Sequence, residues 1–277
     1  MFALYWSVLP LGDVVNRRAN IAVETGALQQ PGYSYSMWHR LFEVCGILAA
    51  YTLLFCLLWR VLAVVAATYT AEETARGHWL VATVCAAWLL GYLVADFTSG
   101  MIHWAFDRYG TVDTPLIGAH FVGPFRNHHI DPRDITRHDF IETNGNNCLF
   151  TLLPLSFFMF LPLDFGNAAV LFFAAMAAFL ALFAFATNQL HKWAHCQQPP
   201  AIVARLQQLH LILPREHHQI HHTFPYQSHY CITTGWMNGL LVKIGWWHAL
   251  EVVVDKLLGV RAHRDAAPVA RYAETSQ

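Results

Sequence analysis

The chain has 277 residues, 56% hydrophobic and only 13% charged, where globular chains run at about 25% charged. Its net charge of −1 with so apolar a composition excludes a disordered chain and argues against a nucleic-acid partner, which wants a basic face. The 17 histidines equal Lys and Arg together, so two excesses need explaining, one apolar and one of imidazole. The six cysteines form no C-x-x-C, and four lie in or beside apolar runs, so they read as small buried hydrophobes rather than disulfides or thiolate metal ligands.

Residues 1–40 are of mixed composition, and their Arg17-Arg18 pair follows an apolar run that contains Pro10, the reverse of the order in a signal peptide. Next come four stretches apolar enough to span a bilayer, near 44–68, 79–101, 148–163 and 167–187. Arg60 interrupts the first and is expected to snorkel or to mark a bend. A tight turn from Pro162 to Asn167 joins the third to the fourth. The expected fold is therefore an all-α integral membrane protein of about four transmembrane helices. It forms one domain over 41–258, with a polar tail at 259–277.

Four spans place both termini on one side, and the basic residues indicate which. Arg108, Arg126, Arg133 and Arg137 lie between the second and third stretches, and Lys192, Arg205, Arg215, Lys243 and others follow the fourth. The opposite side offers Arg76 beside Glu72 and Glu73. The positive-inside rule then makes the termini and the polar segments cytoplasmic, in a bacterial inner membrane or the endoplasmic reticulum. Trp236 to Leu258 reads as a surface-lying amphipathic helix, with core packing nearly as good an alternative.

Thirteen of the histidines fall between His103 and His229, all on the side just assigned to the cytoplasm. Asp96, His103 and Asp107 end the second span on one helical face. An aspartate within a span is costly and marks function, so Asp96 is expected to accept a ligand imidazole's second N–H, and Asp107 could bind metal directly. His128 and His129 sit in a segment bounded by Pro124 and Pro132. His191 and His195 are one turn apart at the end of the fourth span, with Asn188 on their face. His217, His218, His221 and His222 form the last cluster, with Pro214 fitting a helix start before it. His39, His78, His248 and His263 read as bystanders, while His120, His138, His210 and His229 stay open. Imidazoles crowded on one membrane face would repel if protonated, and binding metal as neutral ligands resolves that.

Nine clustered imidazoles exceed what a tetrahedral zinc takes and approach what two ions need. H-E-x-x-H and H-x-x-E-H are both absent, which disfavours an intramembrane zinc protease. A cytoplasmic helical cap carrying a histidine-rich di-metal site is the expectation. Two irons there could reduce dioxygen and take hydrogen from an alkyl chain entering from the membrane. The chain has no haem attachment motif, no iron–sulfur cysteine pattern and no G-x-G-x-x-G, so the electrons must come from a separate carrier.

The strings Ala95-Asp96-Phe97-Thr98-Ser99-Gly100 before His103-Trp104, Pro124 to Pro132, and Arg137-His138-Asp139-Phe140-Ile141-Glu142-Thr143-Asn144-Gly145 resemble the Kua/CarF family of plasmanylethanolamine desaturases. So do Thr187 to His195, Leu213 to His222, and Cys231-Ile232-Thr233-Thr234-Gly235-Trp236. The resemblance runs from about Tyr92 to Leu258. It implies an enzyme using iron, dioxygen and an external reductant to turn the 1-O-alkyl chain of an ethanolamine phospholipid into a vinyl ether. It also implies catalytic and metal-binding roles for His103, His128, His129, His191, His195, His217, His218, His221 and His222, with Asp107, His138 and His229 as further candidates. Acyl-CoA desaturases are more distant and carry His where this sequence has Asp107, leaving Asp107 as a ligand or as a ligand's hydrogen-bond partner. An acyl-chain desaturase or hydroxylase shares the same metal logic. A non-catalytic metal sensor or transporter is the alternative of another class, although a transporter should place its ligands near mid-span.

Overall fold

The computed structural model describes residues 36–70, 74–115 and 117–263, without the side chains of Thr70, Ala119, His120, Asn127 and Ile130. The N-terminal segment before residue 36, the tail after 263 and the His120 side chain therefore lie outside the described residues. All regular structure among the described residues is helical. The helices are α1 Met37–Thr70, α2 Thr74–Arg108, α3 Gly123–Ile130, α4 Phe140–Phe160, α5 Ala168–His195, α6 Ala201–Gln208, α7 Arg215–His221, α8 Trp236–Lys243 and α9 Trp246–Leu258. A π-helical turn, Gly118–Val122, leads into α3, and a 3-10 turn, Asp134–Arg137, precedes α4.

Among the described residues, three helices are long and apolar enough to cross a membrane: Met37–Tyr69, Thr74–Arg108 and Ala168–His195. The stretch at 148–163 is helical to Phe160, but it shares α4 with the polar run Glu142 to Asn147 and is not one of the three. Helix α2 continues beyond the expected end at 101 to Arg108, and α5 beyond 187 to His195, so the ligand-bearing turns extend the spans themselves. Helix α1 runs through Arg60. The guanidinium neither marks a break nor stays alone: it lies 3.9 Å over the Phe165 ring and reaches the Leu163 carbonyl at 3.5 Å, tying α1 to the α4–α5 turn.

Local chemistry sets the helix starts. Asp139 caps α4 by accepting the Glu142 N–H at 3.0 Å, and the buried Arg40 guanidinium pairs with the same carboxylate at 2.5 Å. Asn167 caps α5 through the Ala169 and Val170 N–H groups. Between the long helices the core is built from Ala50, Leu54, Leu57, Ala87, Cys148, Leu155, Ala174, Ala175, Ala178, Ala181 and their neighbours. The alanines let the backbones approach closely, while Phe55, Trp59, Trp79, Leu153 and Phe160 are exposed where lipid would lie.

Residues 236–258 form two helices parted by Gly245, whose φ is +68°. Trp247 of α9 is buried against Tyr230 and Trp104, while Leu257 and Leu258 are exposed, so core packing and an open apolar face share this segment.

Helices α2 and α5 meet closely at Gly91, where a Cβ would stand 3.0 Å from the Leu180 nitrogen and 3.1 Å from the Met176 carbonyl oxygen of α5. Backbone cannot yield there, so Gly91→Ala should destabilise by about 1–3 kcal/mol. A Tm lowered by several degrees in detergent is expected for Gly91→Ala, with Gly239→Ala, which meets nothing within 4 Å, as the neutral control. Equal Tm values for the two would contradict this packing.

Candidate metal centre

The last turns of α2 and α5, the end of α3 and the whole of α7 meet at one end of the long helices. Because α2 carries His103 and Asp107 at i and i+4, and α5 carries His191 and His195 at the same spacing, each helix sends two groups the same way. On α7, His218 and His221 are three apart, and His222 closes the helix on the same face. Among the described residues two sets result: His128, His191, His195, His218 and His222, and His103, Asp107, His129 and His221. Within each set, one ligand atom per residue lies within 4.8 Å of all the others. His103, Asp107 and His221 are at most 1% exposed.

In the first set the Nε2 atoms converge. That of His218 lies 2.8 Å from His191, 2.8 Å from His195 and 3.0 Å from His222. His128 and His222 approach at 3.2 Å, and His195 and His191 at 3.3 Å. A proton between two ring nitrogens satisfies one pair, so no assignment of protons satisfies His218 toward three neighbours at once. Protonating the rings does not help. Burial holds His128, His218 and His222 below the ordinary imidazole range, and the surrounding imidazoles push them further the same way.

In the second set the tautomers follow from the backbone. His103 Nδ1 is 3.0 Å from the Tyr230 carbonyl oxygen, and His221 Nδ1 is 2.9 Å from that of Ser228. A carbonyl only accepts, so both Nδ1 atoms donate, and each neutral ring keeps a bare lone pair on Nε2. Both lone pairs face Asp107 Oδ2 at 3.4 Å, with His129 Nε2 at 3.0 Å from the same oxygen. The Asp107 Oδ1 and His103 Nε2 atoms are buried and have no hydrogen-bond partner. Lone pairs turned on a buried carboxylate are repulsive until a cation stands between them, and the donor sets of both groups fit a metal ion.

The remaining candidates stand elsewhere. His217 joins neither set, because a one-residue step on α7 turns it about 100° from His218. Its Nε2 lies 3.1 Å from the Asn238 amide, and its ring packs against His229. His229 itself contacts the Ser228 hydroxyl. His138 is 3.2 Å from Asp134 and outside both sets. Asp96 does not touch a ligand imidazole. Its Oδ1 accepts the N–H groups of Thr233, Thr234 and Gly235 at 3.2, 2.7 and 2.9 Å, and its Oδ2 that of Met237 at 3.0 Å. Asn188 donates to the Thr143 carbonyl.

Asp96 thus anchors the loop whose carbonyls orient the ligands. Ser99 receives the Ile232 N–H, and a Cβ on Gly100 would stand 2.5 Å from Cys231 Sγ, so the loop lies directly on α2. The two orienting carbonyls, at Ser228 and Tyr230, have no signature in residue type. In the sequence Asp96 stood out only as a costly charge expected to meet an imidazole, and its backbone partners replace that expectation.

These features define a helical protein with membrane-length spans and a buried two-part centre of eight imidazoles and one carboxylate. The lipid desaturase domain family matches residues 92–265, and the chain belongs to that family. It is 44% identical over 189 residues to the plasmanylethanolamine desaturase of Myxococcus xanthus, covering 68% of this chain and 66% of that one. It is 48% identical over 179 residues to plasmanylethanolamine desaturase 1 of Mus musculus, covering 63% and 66%. Fatty acid desaturase 4, chloroplastic, of Arabidopsis thaliana is 38% identical over 192 residues, covering 68% and 56%. The matched part of the chain spans just under two thirds of the length of the first two relatives. No solved structure matches the chain.

Metal analysis should separate the sets from their neighbours. His218→Ala should lose at least half of the bound metal, while His217→Ala should retain the wild-type content. Equal losses in the two variants would contradict the grouping.

Proposed function

We propose that the protein is a membrane lipid desaturase that acts on 1-O-alkyl ethanolamine phospholipids. It removes two hydrogens from the alkyl chain beside the ether oxygen and leaves a vinyl ether. One dioxygen takes up four electrons, two from the chain and two from a separate electron carrier, and leaves as two waters. The observation that carries the reading is the two-part centre, buried at the ends of α2 and α5 where a chain can arrive from the bilayer.

Two irons held by the two sets would supply dioxygen activation and hydrogen abstraction. The chain's residues do the rest. Tyr230 and Ser228 hold the His103 and His221 rings in the tautomer that offers Nε2 inward. Asp107 adds one negative charge, which suits its set to a cation. Burial excludes water from the reacting bond. The catalytic assignment covers His103, Asp107, His128, His129, His191, His195, His218, His221 and His222, with His217 omitted because it faces Asn238.

The location of the centre supports an integral membrane enzyme of one domain over 41–258. The basic residues around the centre favour a cytoplasmic site and cytoplasmic termini, and offer a dock for an acidic electron carrier. Ligands at helix ends rather than at mid-span speak against a transporter. The relatives named as fatty acid desaturases keep acyl-chain desaturation as the second reading.

Cells producing this chain and supplied with a 1-O-alkyl ethanolamine phospholipid should accumulate acid-labile vinyl-ether lipid by mass spectrometry. New double bonds in acyl chains alone would favour the second reading. No change in either, with metal-loaded protein and a working reductant, would overturn both.

A further inference from the structure

Among the described residues, His217 is the clustered histidine that joins neither metal-binding set. Its ring is nonetheless held from three sides. It lies on Gly235, whose φ is +77° and where a Cβ would stand 2.7 Å from the His217 Cδ2. The Gly235 N–H is in turn held by Asp96. His229 packs against the ring, with 5.1 Å between centroids. From the third side the buried Asn238 brings its amide nitrogen within 3.1 Å of His217 Nε2.

Chemistry fixes donor and acceptor along this contact. Asn238 Oδ1 accepts the Cys231 N–H at 2.9 Å, and Nδ2 donates to the Cys231 carbonyl at 2.9 Å. That double bond to one residue decides which end of the amide is oxygen. The second Nδ2 hydrogen is left for His217 Nε2. An amide nitrogen only donates, so His217 Nε2 accepts and the ring carries its proton on Nδ1.

The Cys231 N–H and the Tyr230 carbonyl belong to one planar peptide group, so whatever holds the N–H also sets the direction of the carbonyl. That carbonyl accepts the His103 Nδ1–H at 3.0 Å. Three hydrogen bonds therefore run head to tail, from His103 to the peptide, from the peptide to Asn238, and from Asn238 to His217. In such a chain each bond polarises the next. The His217 lone pair makes the Asn238 oxygen a better acceptor, and that oxygen does the same for the Tyr230 carbonyl. The carbonyl then draws on the His103 N–H and leaves His103 Nε2 more basic. His103, Cys231 and Asn238 are each 0% exposed, so bulk water does not compete for these bonds.

We infer that His217 and Asn238 are positioning residues for the set that contains Asp107: from outside the centre they orient the His103 imidazole and strengthen it as a ligand. This rests on the metal reading of the centre and not on the identity of the lipid. The effect is selective, because none of the three bonds ends on a residue of the all-imidazole set. The last histidine cluster thus divides its work. His218, His221 and His222 face the centre, and His217 faces the loop that orients it.

The test is a titration of the full chain in detergent with ferrous iron against a competing chelator, followed by Mössbauer spectroscopy of the saturated samples. The signal that Asp107→Ala alters identifies the set. Asn238→Leu, which fills the space of the amide without its bonds, should weaken one of the two sites about tenfold. His217→Phe, which keeps a ring and removes the acceptor, should weaken the same site about threefold. His217→Gln restores an acceptor oxygen and should recover the wild-type affinity. In both weakened variants the Asp107-sensitive signal should shift while the other stays in place, with wild-type iron content at saturation. Unchanged affinities and signals in both, equal changes in the two signals, or a His217→Gln as weak as His217→Phe would overturn the assignment. Should Asn238→Leu fail to fold, the two variants of the partly exposed His217 decide alone. Wild-type protein that binds no iron would sink the metal reading and this inference with it. Two bound irons indifferent to all three variants would sink this inference alone.

Discussion

Eight imidazoles and one carboxylate turn ring nitrogens and carboxylate oxygens toward one another in a largely buried space. In water such groups would take up protons or turn away. Here burial disfavours the proton, and packed helices prevent the rotation. A cation in each set would resolve the conflict, and metal binding would then be linked to the stability of this end of the fold. The rest of the architecture follows from holding nine side chains in that orientation.

Three constructions meet the requirement. Spacings of four on α2 and α5 place ligands on rigid helices whose bodies pack through alanines. Helix α7 brings three more from a separate segment. The loop from Ser228 to Gly235 supplies the backbone carbonyls that fix two ring tautomers, and it is held to α2 by Asp96, Ser99 and Gly100. Asn238 closes the arrangement by bonding both the N–H and the carbonyl of Cys231. Asp96 therefore acts at a distance from the ligands, by placing the loop that orients them. Its charge within the span is compensated by four backbone N–H groups rather than by an imidazole.

Much of this was legible in the residues, for physical reasons. Helical spacing identified His103 with Asp107 and His191 with His195, because periodicity alone decides which side chains share a face. The same logic could not separate His217 from His218, since four histidines within six residues of a two-turn helix cover more than one face. Asp96 was recognisable as costly, but its partners are backbone groups, which no side-chain pattern encodes. The span at 148–163 was drawn from apolar content. That content hid the polar first half of α4, whose Glu142, Thr143, Asn146 and Asn147 line a cavity beside His128 and His191. Trp236 to Leu258 reads in sequence as one helix, but the chain breaks at Gly245, and packing on Tyr230 and Trp104 turns Trp247 inward. A cavity beside the centre was invisible in sequence, because its lining comes from α1, α2, α4 and α5, which meet only in the fold.

We propose that one chain holds two metal ions in unlike surroundings, one set all imidazole and the other including Asp107. Mössbauer spectroscopy of protein loaded with isotopically enriched iron tests this most directly, with total iron measured on the same sample. Two irons per chain and two distinguishable signals are expected, with Asp107→Ala altering or removing one of them selectively. One iron per chain, or a signal indifferent to Asp107, would contradict the account.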